Sequence, residues 1–416
     1  MYNNPMKLKT RVTRKIEDIP QEEWDRVFPN VLEGYNFFKS LDESKFDQFS
    51  FYYIMVYDGD VAVGAAPCFS LKYSLDTSMS GTARRVFNFI KKSFPGFLSV
   101  KALACGVPMG QGCIGMAGNS KDIIGAILKK MEEIARHEKA QLIAFKDFPY
   151  SYSNDFNTLA DSGFFKVDSL PYAEMEITFK NFEEYLNKLS GASRYDLRRK
   201  FKKAESLARI EMKIVDKLNE EILMEMYDLY MQIVNKHEMG FEIVPMAFFK
   251  NMARNMPNET KFFLWRVDGK LAAFLFALTS GGTFIDYYLG LDYVLAHKYH
   301  LFFIKFRDVM KWCIENKMKK YEIGFSGYEP KRRLGFDFIP LHIYAKHRNR
   351  LVNPLFKILT HFLKFENFDP DLKAIKRSMS EKRSSHHEGV RPDTLKRHPG
   401  HRGAVMHEKG AGSNRD

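Results

Sequence analysis

Two distant stretches of the chain share one pattern of apolar runs around a turn signal. Residues 51–71 read FYYIMVYDGDVAVGAAPCFSL, and residues 261–281 read KFFLWRVDGKLAAFLFALTSG. Glycine tolerates the positive φ of a tight hairpin turn, so the Asp-Gly pairs that begin at Asp58 and Asp268 predict two β-hairpins. One supersecondary unit therefore occurs twice in the chain.

The elements after each hairpin also correspond. A helix is predicted by apolar side chains at helical spacing, at Ile123, Ile127, Met131 and Ile134 in the first half and at Phe302, Phe306, Val309, Met310 and Cys313 in the second. A short strand, a Gly-Phe pair and a closing strand follow in both halves, and the closing strands begin at Pro171 and Pro340. This repeat predicts an α/β (α+β) protein of two similar domains, residues 7–178 and 179–350, each a mixed twisted sheet flanked by helices.

The end of the chain follows a different pattern. Residues 351–368 predict an amphipathic helix, whose broad apolar face comprises Leu351, Leu355, Ile358, Leu359, Phe362 and Phe365. Residues 369–416 contain few large apolar side chains, and residues 376–416 hold ten Lys or Arg against five Asp or Glu. Such a segment cannot bury enough apolar surface to fold, so we predict a disordered basic tail.

Composition narrows the class of protein. Of 416 residues, 45% are hydrophobic and 28% are charged, which excludes wholesale disorder, collagen and a coiled coil. No uncharged run reaches the ~18 residues that span a bilayer, and no apolar signal segment is visible at the N-terminus. Four cysteines without a CxxC pair indicate a reducing compartment, so we predict a cytoplasmic protein without a metal site.

The net charge of +13 favours an anionic partner. A moderately basic protein suits a phosphorylated cofactor or an anionic surface, and this charge alone does not indicate nucleic acid, so no DNA partner is predicted. Residues 84–98 or residues 351–365 could contact a membrane peripherally, through apolar burial combined with attraction to anionic headgroups. Alternatively, the helix over 351–365 packs on the second domain.

Charged residues of the second half supply candidate binding groups. The basic helix 193–205 includes Arg194 and Arg198, which suit an anionic substrate or a phosphate-bearing donor, or else lie on a solvated helix face. The segment that ends at His300 is predicted to open the central helix, where free amides together with Lys298 would attract phosphate. A solubilising loop is the alternative explanation of the same segment.

A strand and a turn supply candidate catalytic groups. In the strand FIDYYLG, Asp286 and Tyr288 are predicted to share one face. An acid beside a strand bulge can deprotonate an amine, and a tyrosine can protonate a leaving thiolate. Glu322, Lys331 and Arg332 cluster around a Gly-rich turn after the next strand, where α/β folds place ligands. We predict that Lys331 lies in an exposed charged turn and stabilises an oxyanion or binds phosphate. A half-exposed sheet edge and a charged surface turn are the alternatives.

These features together resemble the FemAB-like branch of the GNAT acyltransferase superfamily, over about residues 10–350. The resemblance rests on the duplicated hairpin unit and on three segments, SRYDLRRKFKKAE, HEMGFEIVPMAFFKNM and YEIGFSGYEPKRRLGFDFIP. It implies two tandem GNAT-like domains, the second catalytic and the first degenerate, in an enzyme of the peptidoglycan-biosynthesis type. It further implies transfer of an acetyl group from acetyl-CoA, as a co-substrate, to a small amine or peptide-like acceptor, with no permanently bound cofactor.

The resemblance also implies roles for the candidate residues, among which either Asp286 or Glu322 assists proton removal. The predicted catalytic residues are Asp286, Tyr288, Glu322 and Lys331. The predicted cofactor-binding residues are Lys298, Tyr299 and His300. The predicted substrate-binding residues are Arg194, Arg198 and Arg332.

Two other functions stay open on the sequence. Ordinary GNAT enzymes have a Gly-rich turn before the central helix, whereas the stretch LDYVLAHKYHLF contains no glycine. Fem-type relatives use aminoacyl-tRNA, so an aminoacyltransferase acting on a cell-wall or peptide precursor is the first alternative, although no heptad insert for a coiled-coil arm is visible. A binding protein that keeps the fold without catalysis is the second. The sequence has no Walker loop, Rossmann fingerprint, HExxH or GxSxG motif, so neither a metal nor a covalent acyl-enzyme is predicted.

Overall fold

The structure is a computed structural model that describes residues 8–29, 31–74, 99–237, 243–325, 327–362 and 372–373. The stretch 84–98, which the sequence offers for membrane contact, lies outside the described residues, as do the end of the predicted helix after residue 362 and the predicted tail apart from residues 372–373.

The first half contains the following described elements. Its strands are Lys9–Thr13 (β1), Ser50–Asp58 (β2), Val61–Ser74 (β3), Ser99–Cys105 (β4), Gly115–Met116 (β5), Leu142–Pro149 (β6), Phe165–Asp168 (β7) and Tyr172–Glu176 (β8). Its α-helices are Gln21–Val27 (α1), Tyr35–Ser44 (α2), Ser120–His137 (α3) and Asn157–Asp161 (α4). Short 3-10 turns lie at Ile16–Asp18 and Tyr150–Tyr152.

The second half contains the following described elements. Its strands are Ile210–Val215 (β9), Thr260–Val267 (β10), Lys270–Ser280 (β11), Thr283–Leu291 (β12), Lys320–Glu322 (β13), Asp337–Ile339 (β14) and Leu341–His347 (β15). Its helices are Phe182–Lys188 (α5), Gly191–Leu207 (α6), Glu220–His237 (α7), Met246–Asn255 (α8), Tyr293–Tyr299 (α9), Leu301–Glu315 (α10), Tyr328–Arg333 (α11) and Asn353–Phe362 (α12). Both predicted hairpins and both central helices, α3 and α10, are confirmed.

The two sheets have the same strand order. Among the described strands, the first sheet runs β1-β2-β3-β4-β6-β15-β7 with β5 beside β3, and the second runs β9-β10-β11-β12-β13-β8-β14. Each sheet is antiparallel except for one parallel pair, which is β4 with β6 in the first and β12 with β13 in the second. The predicted pair of mixed sheets is therefore confirmed.

The closing strands are exchanged between the halves. β8 of the first half pairs with β13 and β14, and β15 of the second half pairs with β6 and β7. The predicted boundary between residues 178 and 179 therefore divides the chain but does not divide the sheets. An apolar alternation specifies a strand, whereas its partner is decided by the edge that tertiary structure brings next to it.

Both halves contribute to one apolar layer. Trp24, Phe37 and Phe69 of the first half and Phe248 and Phe276 of the second belong to a single buried cluster. α2 and α8 cross this boundary with polar contacts as well, because the amide of Asn251 donates to the Ser44 hydroxyl at 3.0 Å and the amide of Asn255 donates to Glu43 at 2.6 Å. Buried hydrogen bonds need fixed geometry, so these contacts hold the two halves in one orientation.

The amphipathic helix α12 packs on the first sheet. Phe356 is buried against Phe165 of β7 and Val100 of β4. The helix thus contacts β15, which belongs to the predicted second domain, as well as β7 of the first, because β15 crosses to the first sheet and carries the following helix with it. Among the described residues, no helix combines the length and hydropathy needed to cross a membrane.

Candidate active site

A β-bulge interrupts β12 in the middle of the second sheet. Tyr288 pairs with Phe276 and Asp286 pairs with Ala277, so Tyr287 is an extra residue on β12. The parallel pairing of β12 with β13 ends immediately before the bulge, at Ile285 with Glu322. Two neighbouring strands therefore part at a point where one of them is also bent.

The bulge changes which side chains share a face. The sequence predicts Asp286 and Tyr288 on one face, but Tyr287 and Tyr288 both pack into the layer that contains Phe276, while Asp286 meets Lys305 on the opposite side. The prediction is wrong because one inserted residue shifts the two-residue alternation of a strand. Tyr288 therefore lies among aromatic rings, 6.1 Å from the Phe249 ring centre, and apart from the acid.

Asp286 belongs to a buried charged cluster under the bulge. Its carboxylate forms an ion pair with Lys305 and accepts a hydrogen bond from the Tyr321 hydroxyl at 3.1 Å. The side chain of Lys305 is 1% exposed and that of Asp286 is 5% exposed. Burial, followed by the charge of Asp286, raises the pKa of Tyr321 well above its usual value. With two donors on one enclosed carboxylate, Asp286 fits a positioning role better than direct proton removal.

Lys331 is also buried, contrary to the sequence prediction. The residue is 4% exposed, and its Nζ donates to the carbonyl oxygens of Ile323, Gly324 and Phe325 at 2.8, 3.1 and 3.0 Å. The prediction of an exposed turn is wrong because α11 folds back and directs Lys331 under the turn that follows β13. Burial lowers the pKa of Lys331 to about 7. The side chain of Lys331 therefore stabilises this turn by binding three of its carbonyl groups from the buried side.

Glu322 lies where the two halves meet. Burial raises the pKa of Glu322, Lys320 opposes that shift and Glu174 adds to it, while Tyr172 donates a hydrogen bond to its carboxylate. A second carboxyl group, Glu33 of the first half, is close enough for Glu322 to raise its pKa. The larger cause of that shift is burial, and the pKa of Glu33 rises to about 7. These two carboxyl groups from opposite halves, which we call the carboxyl pair, both have raised pKa values, mainly because both are buried.

A glycine loop joins this carboxyl pair to the bulge. The hydroxyl of Tyr287 donates to the carbonyl of Met109 at 3.2 Å. A Cβ placed on the next residue, Gly110, would lie 3.6 Å from that hydroxyl and 3.8 Å from a Glu33 carboxylate oxygen. Gly110 has φ of +101°, which favours glycine and allows this close approach. Glu33 and Tyr287 therefore flank one residue of the first half.

Two predicted phosphate-binding segments come together on the second half. The helix α6 packs against α9 and α10. Burial lowers the pKa of His300, and the nearby charges of Lys203, Lys200 and Arg199 lower it further. Lys298 is exposed, with its Nζ 4.8 Å from the Tyr299 ring centre, while Tyr299 itself is buried. The structure thus places the basic helix beside Lys298 and His300, which we call the basic surface.

The start of the central helix, where the sequence predicts phosphate binding, differs from the prediction. His300 does not open a continuous central helix, since α9 ends at Tyr299 and His300 itself is left-handed with φ of 52° before α10 begins. The carboxylate of Asp292 caps α9 and accepts from the amides of Val294 and Leu295, each at 3.1 Å. An internal carboxylate therefore occupies two amides at the start of α9, whereas among the described residues no side chain caps the start of the central helix α10.

The three predicted substrate-binding arginines have separate partners. Arg194 donates to Asn187 at 3.3 Å, and Arg198 forms an ion pair with Glu183 at 2.6 Å. Arg332 pairs with Glu329 of its own helix at 2.8 Å. These contacts do not bring Arg332 beside Arg194 and Arg198. Within the described residues, no group of three His, Cys, Asp or Glu side chains is arranged to hold a metal ion.

Four residues of this site are not predicted from the sequence, namely Glu33, Tyr172, Lys305 and Tyr321. A signal for Lys305 was present, because Leu301, Lys305 and Val309 are spaced four residues apart and place a lysine on the apolar face of α10. Glu33 and Tyr172 carried no such signal, since both reach the site only through contacts between the two halves.

Comparisons with known proteins agree with this architecture. The sequence profile of the FemAB-like family, described as peptidoglycan biosynthesis/recognition, matches residues 15–383. A relative from two strains of Mycobacterium tuberculosis, CDC 1551 / Oshkosh and ATCC 25618 / H37Rv, provisionally named 8-amino-7-oxononanoate synthase 2, is 23% identical over 328 residues. That alignment covers 76% of this chain and 42% of the relative, so the chain spans less than half the length of the curated relatives it matches.

Solved structures share the fold at low identity. FemX superposes with a TM-score of 0.51 at 13% identity, over 82% of this chain and 98% of that chain. A tandem GNAT protein from the clavulanic acid biosynthesis pathway superposes with a TM-score of 0.46 at 9% identity, over 82% of this chain and 98% of that chain. At such identity, the likeness to FemX concerns the fold alone.

Proposed function

Because the chain belongs to the FemAB-like family, we propose that it is an acyltransferase that moves an acyl group from a phosphate-bearing carrier to the amine of a peptide-like acceptor. The family match over residues 15–383 supports the class of reaction. The observation that carries the proposal is the carboxyl pair of Glu33 and Glu322 beside a bulged strand that parts from its neighbour. This is the place where an amine and an acyl group would meet.

The carboxyl pair accounts for activation of the acceptor. An amine arrives as an ammonium ion, and a carboxyl group with a pKa of about 7, as at Glu33, is suited to accept its proton near neutral pH. The neutral nitrogen then attacks the acyl carbonyl carbon. A C–N bond forms, the bond from that carbon to the oxygen or sulfur of the carrier breaks, and a second amine proton goes to the leaving atom.

The basic surface supports a long polyanionic donor. The charges of α6 from Arg194 to Lys203 extend over about 14 Å of helix, at 1.5 Å per residue, which exceeds one pyrophosphate group. Asp292 already caps the amides of α9. We therefore place aminoacyl-tRNA first among the donors. Acetyl-CoA is the second candidate, because β12 and β13 keep the GNAT arrangement of a bulged strand that parts from its neighbour.

The experiment compares donors directly. Transfer of a radiolabelled acyl group to short peptide amines is measured with acetyl-CoA and with aminoacyl-tRNA, together with thermal stabilisation by each donor and by free CoA. A donor present at 100 times its dissociation constant should stabilise the fold by about 2.7 kcal/mol. Binding of tRNA should weaken steeply as salt rises, because bound cations are released from phosphates.

A matched pair of variants tests the basic surface. Lys203→Ser should weaken donor binding, whereas Lys129→Ser, on the exposed side of the central helix α3 of the first half, should leave it unchanged. Absence of transfer and of stabilisation with every donor, in protein that unfolds cooperatively, would contradict the proposed function.

The cysteines Cys68, Cys105, Cys113 and Cys313 are free thiols, and we propose that the enzyme works in a reducing compartment, the cytoplasm.

A further inference from the structure

An apolar patch is exposed at the end of the described chain. Leu351 is 85% exposed, Leu355 is 59% exposed and Ile358 is 56% exposed. Leu355 and Ile358 are three residues apart on α12 and therefore share a face, and Leu351 lies in the turn immediately before the helix. We call these three residues the α12 patch. Large aliphatic side chains at such exposure cost free energy in water unless another surface covers them.

The α12 patch is held in place by the opposite side of its helix. Phe356 is 5% exposed and packs against Phe165 and Val100. Asn353 accepts from the backbone amide of His347 at 2.8 Å and donates to the carbonyl of Gly163 at 2.8 Å. The helix is therefore anchored to the first sheet on one face. Its other face presents the α12 patch outward.

The charge around the patch has one sign. Arg350 and Lys357 are exposed beside it, and the sequence contains no Asp or Glu from Phe338 to Phe365. A second copy of this chain docking through the same patch would bring these cations together, which opposes self-association. An anionic surface matches both the apolar side chains and the charge.

We propose that the α12 patch docks the protein on an anionic lipid surface. Leu351, Leu355 and Ile358 enter the boundary between headgroups and acyl chains, while Arg350 and Lys357 lie at the level of the phosphates. Apolar burial and attraction to anionic lipid are the two contributions that bind interfacial helices. The proposal uses none of the residues of the candidate active site, so it stands or fails independently of the proposed acyl transfer.

Vesicle sedimentation of the full chain tests the proposal. The protein is mixed with phosphatidylcholine vesicles and with vesicles that also contain phosphatidylglycerol, at low and at high salt. We expect binding to the anionic vesicles at low salt, weaker binding to neutral vesicles, and loss of binding as salt screens the charges. A Leu355→Glu and Ile358→Glu double variant should reduce partitioning at least about tenfold, since it places two acids at the apolar contact.

The control is an apolar residue of equal exposure elsewhere. Met224 of α7 is 59% exposed, so Met224→Glu introduces one such acid on another helix and should leave vesicle binding almost unchanged. Thermal unfolding is recorded for both variants to establish that they are folded. If the double variant binds anionic vesicles as the wild type does, the basic segment after residue 373 rather than the α12 patch attaches the protein, and the proposal is wrong.

Sedimentation velocity without lipid addresses a competing occupant. We expect the wild-type chain and the double variant to sediment alike. A wild-type dimer that the double variant dissociates would show that a second copy covers the α12 patch, which also overturns the proposal. Equal binding of wild-type protein to neutral and anionic vesicles at every salt concentration would also overturn the proposal, because the surface would then not need to be anionic.

Discussion

The two sheets are built alike but differ at the point where their parallel strands part. In the first sheet the parallel pairing ends at Cys105 with Phe145, and in the second it ends at Ile285 with Glu322. Phe145 is fully buried and packs against the Phe156 ring at 5.1 Å. An aromatic side chain thus stands in the first half where the second half has an acid.

The adjacent strand, β4 in the first sheet and β12 in the second, also differs between the two sheets. β3 and β4 keep one register from Ser74–Ser99 to Cys68–Cys105, whereas β11 and β12 shift at Tyr287. The first half has buried thiols beside this pairing, and the second has the pair of Asp286 and Lys305. At the point where the parallel strands part, the second half therefore has an acid and a buried ion pair, while the first half has an aromatic ring and thiols and contributes Glu33 and the Gly110 loop to the site of the second.

The largest expected effect concerns the buried ion pair of the second half. Lys305→Met should destabilise the protein by about 3–5 kcal/mol, because it leaves the carboxylate of Asp286 buried without its cation. The double variant Asp286→Leu with Lys305→Met should recover much of this loss. Urea unfolding measures both. Glu132→Gln, which breaks the half-exposed pair with Lys346 on the first sheet, should cost less than about 1 kcal/mol.

This result would sharpen the comparison by showing that the second sheet depends more on its buried ion pair than the first sheet depends on its half-exposed one. Equal losses from Lys305→Met and Glu132→Gln would mean that the two halves are held together in the same way.

The next effect tests whether the first half contributes to the chemistry. Glu33→Gln should lower kcat/KM about 100-fold, the lower end of the range for a proton-transfer group. Wild-type activity should rise with pH through about 7, where Glu33 ionises, and the variant should lose that rise. Glu43→Gln, a carboxyl group that also contacts the other half, serves as the control and should keep the wild-type profile.

The free energy of unfolding should fall as Glu33 ionises with rising pH, whereas the activity should rise. The pKa of Glu33 is raised on folding, so its contribution to stability is fully present below about pH 4.5 and is lost as pH rises through about 7. Glu33→Gln should therefore remove part of the fall in unfolding free energy over that range. A variant with wild-type activity at every pH would confine the chemistry to the second half.

A smaller loss is expected for the buried lysine under the turn. Lys331→Ala should cost about 2 kcal/mol, because three carbonyl oxygens lose their donor. The pKa of Lys331 is lowered to about 7, so its contribution is present above about pH 10.5 and is lost as pH falls through about 7. Lys331→Met keeps the aliphatic stem and should flatten this pH dependence.

Chemical denaturation of the three proteins between pH 6 and pH 10 is the measurement. If Lys331→Ala were as stable as the wild type and only its activity fell, Lys331 would return to the mechanism as the sequence first suggested.

The smallest effect compares the helix caps of the two halves. Asp292→Ala and Asn119→Ala should each cost about 1 kcal/mol, because each side chain accepts from amides at the start of its helix. Only Asp292→Ala should raise the affinity for a phosphate-bearing donor, since it removes a carboxylate close to the basic surface. Titration with tRNA and with acetyl-CoA measures the donor affinity of each variant. If the affinities of the two variants change equally, the start of α9 takes no part in donor binding.

The local elements of this protein could be read from the sequence. The Asp-Gly turns at Asp58 and Asp268, the apolar spacing of α3 and α10 and the twofold order of elements depend on residues close in the chain. Each is specified by backbone preferences and periodicity that no distant contact has to supply. The resemblance carried by these elements also led to the family.

The site was decided by tertiary structure. The exchange of β8 and β15 was set by which sheet edge each strand met, and the bulge at Tyr287 moved Tyr288 away from Asp286. Lys331 is a charged residue in a charged stretch, and only the packing of α11 buries it. Burial, strand partners and pKa shifts depend on contacts between residues far apart in the chain, which a pattern of neighbouring residues does not encode. The effect of Glu322 on the pKa of Glu33 across the two halves is the clearest case.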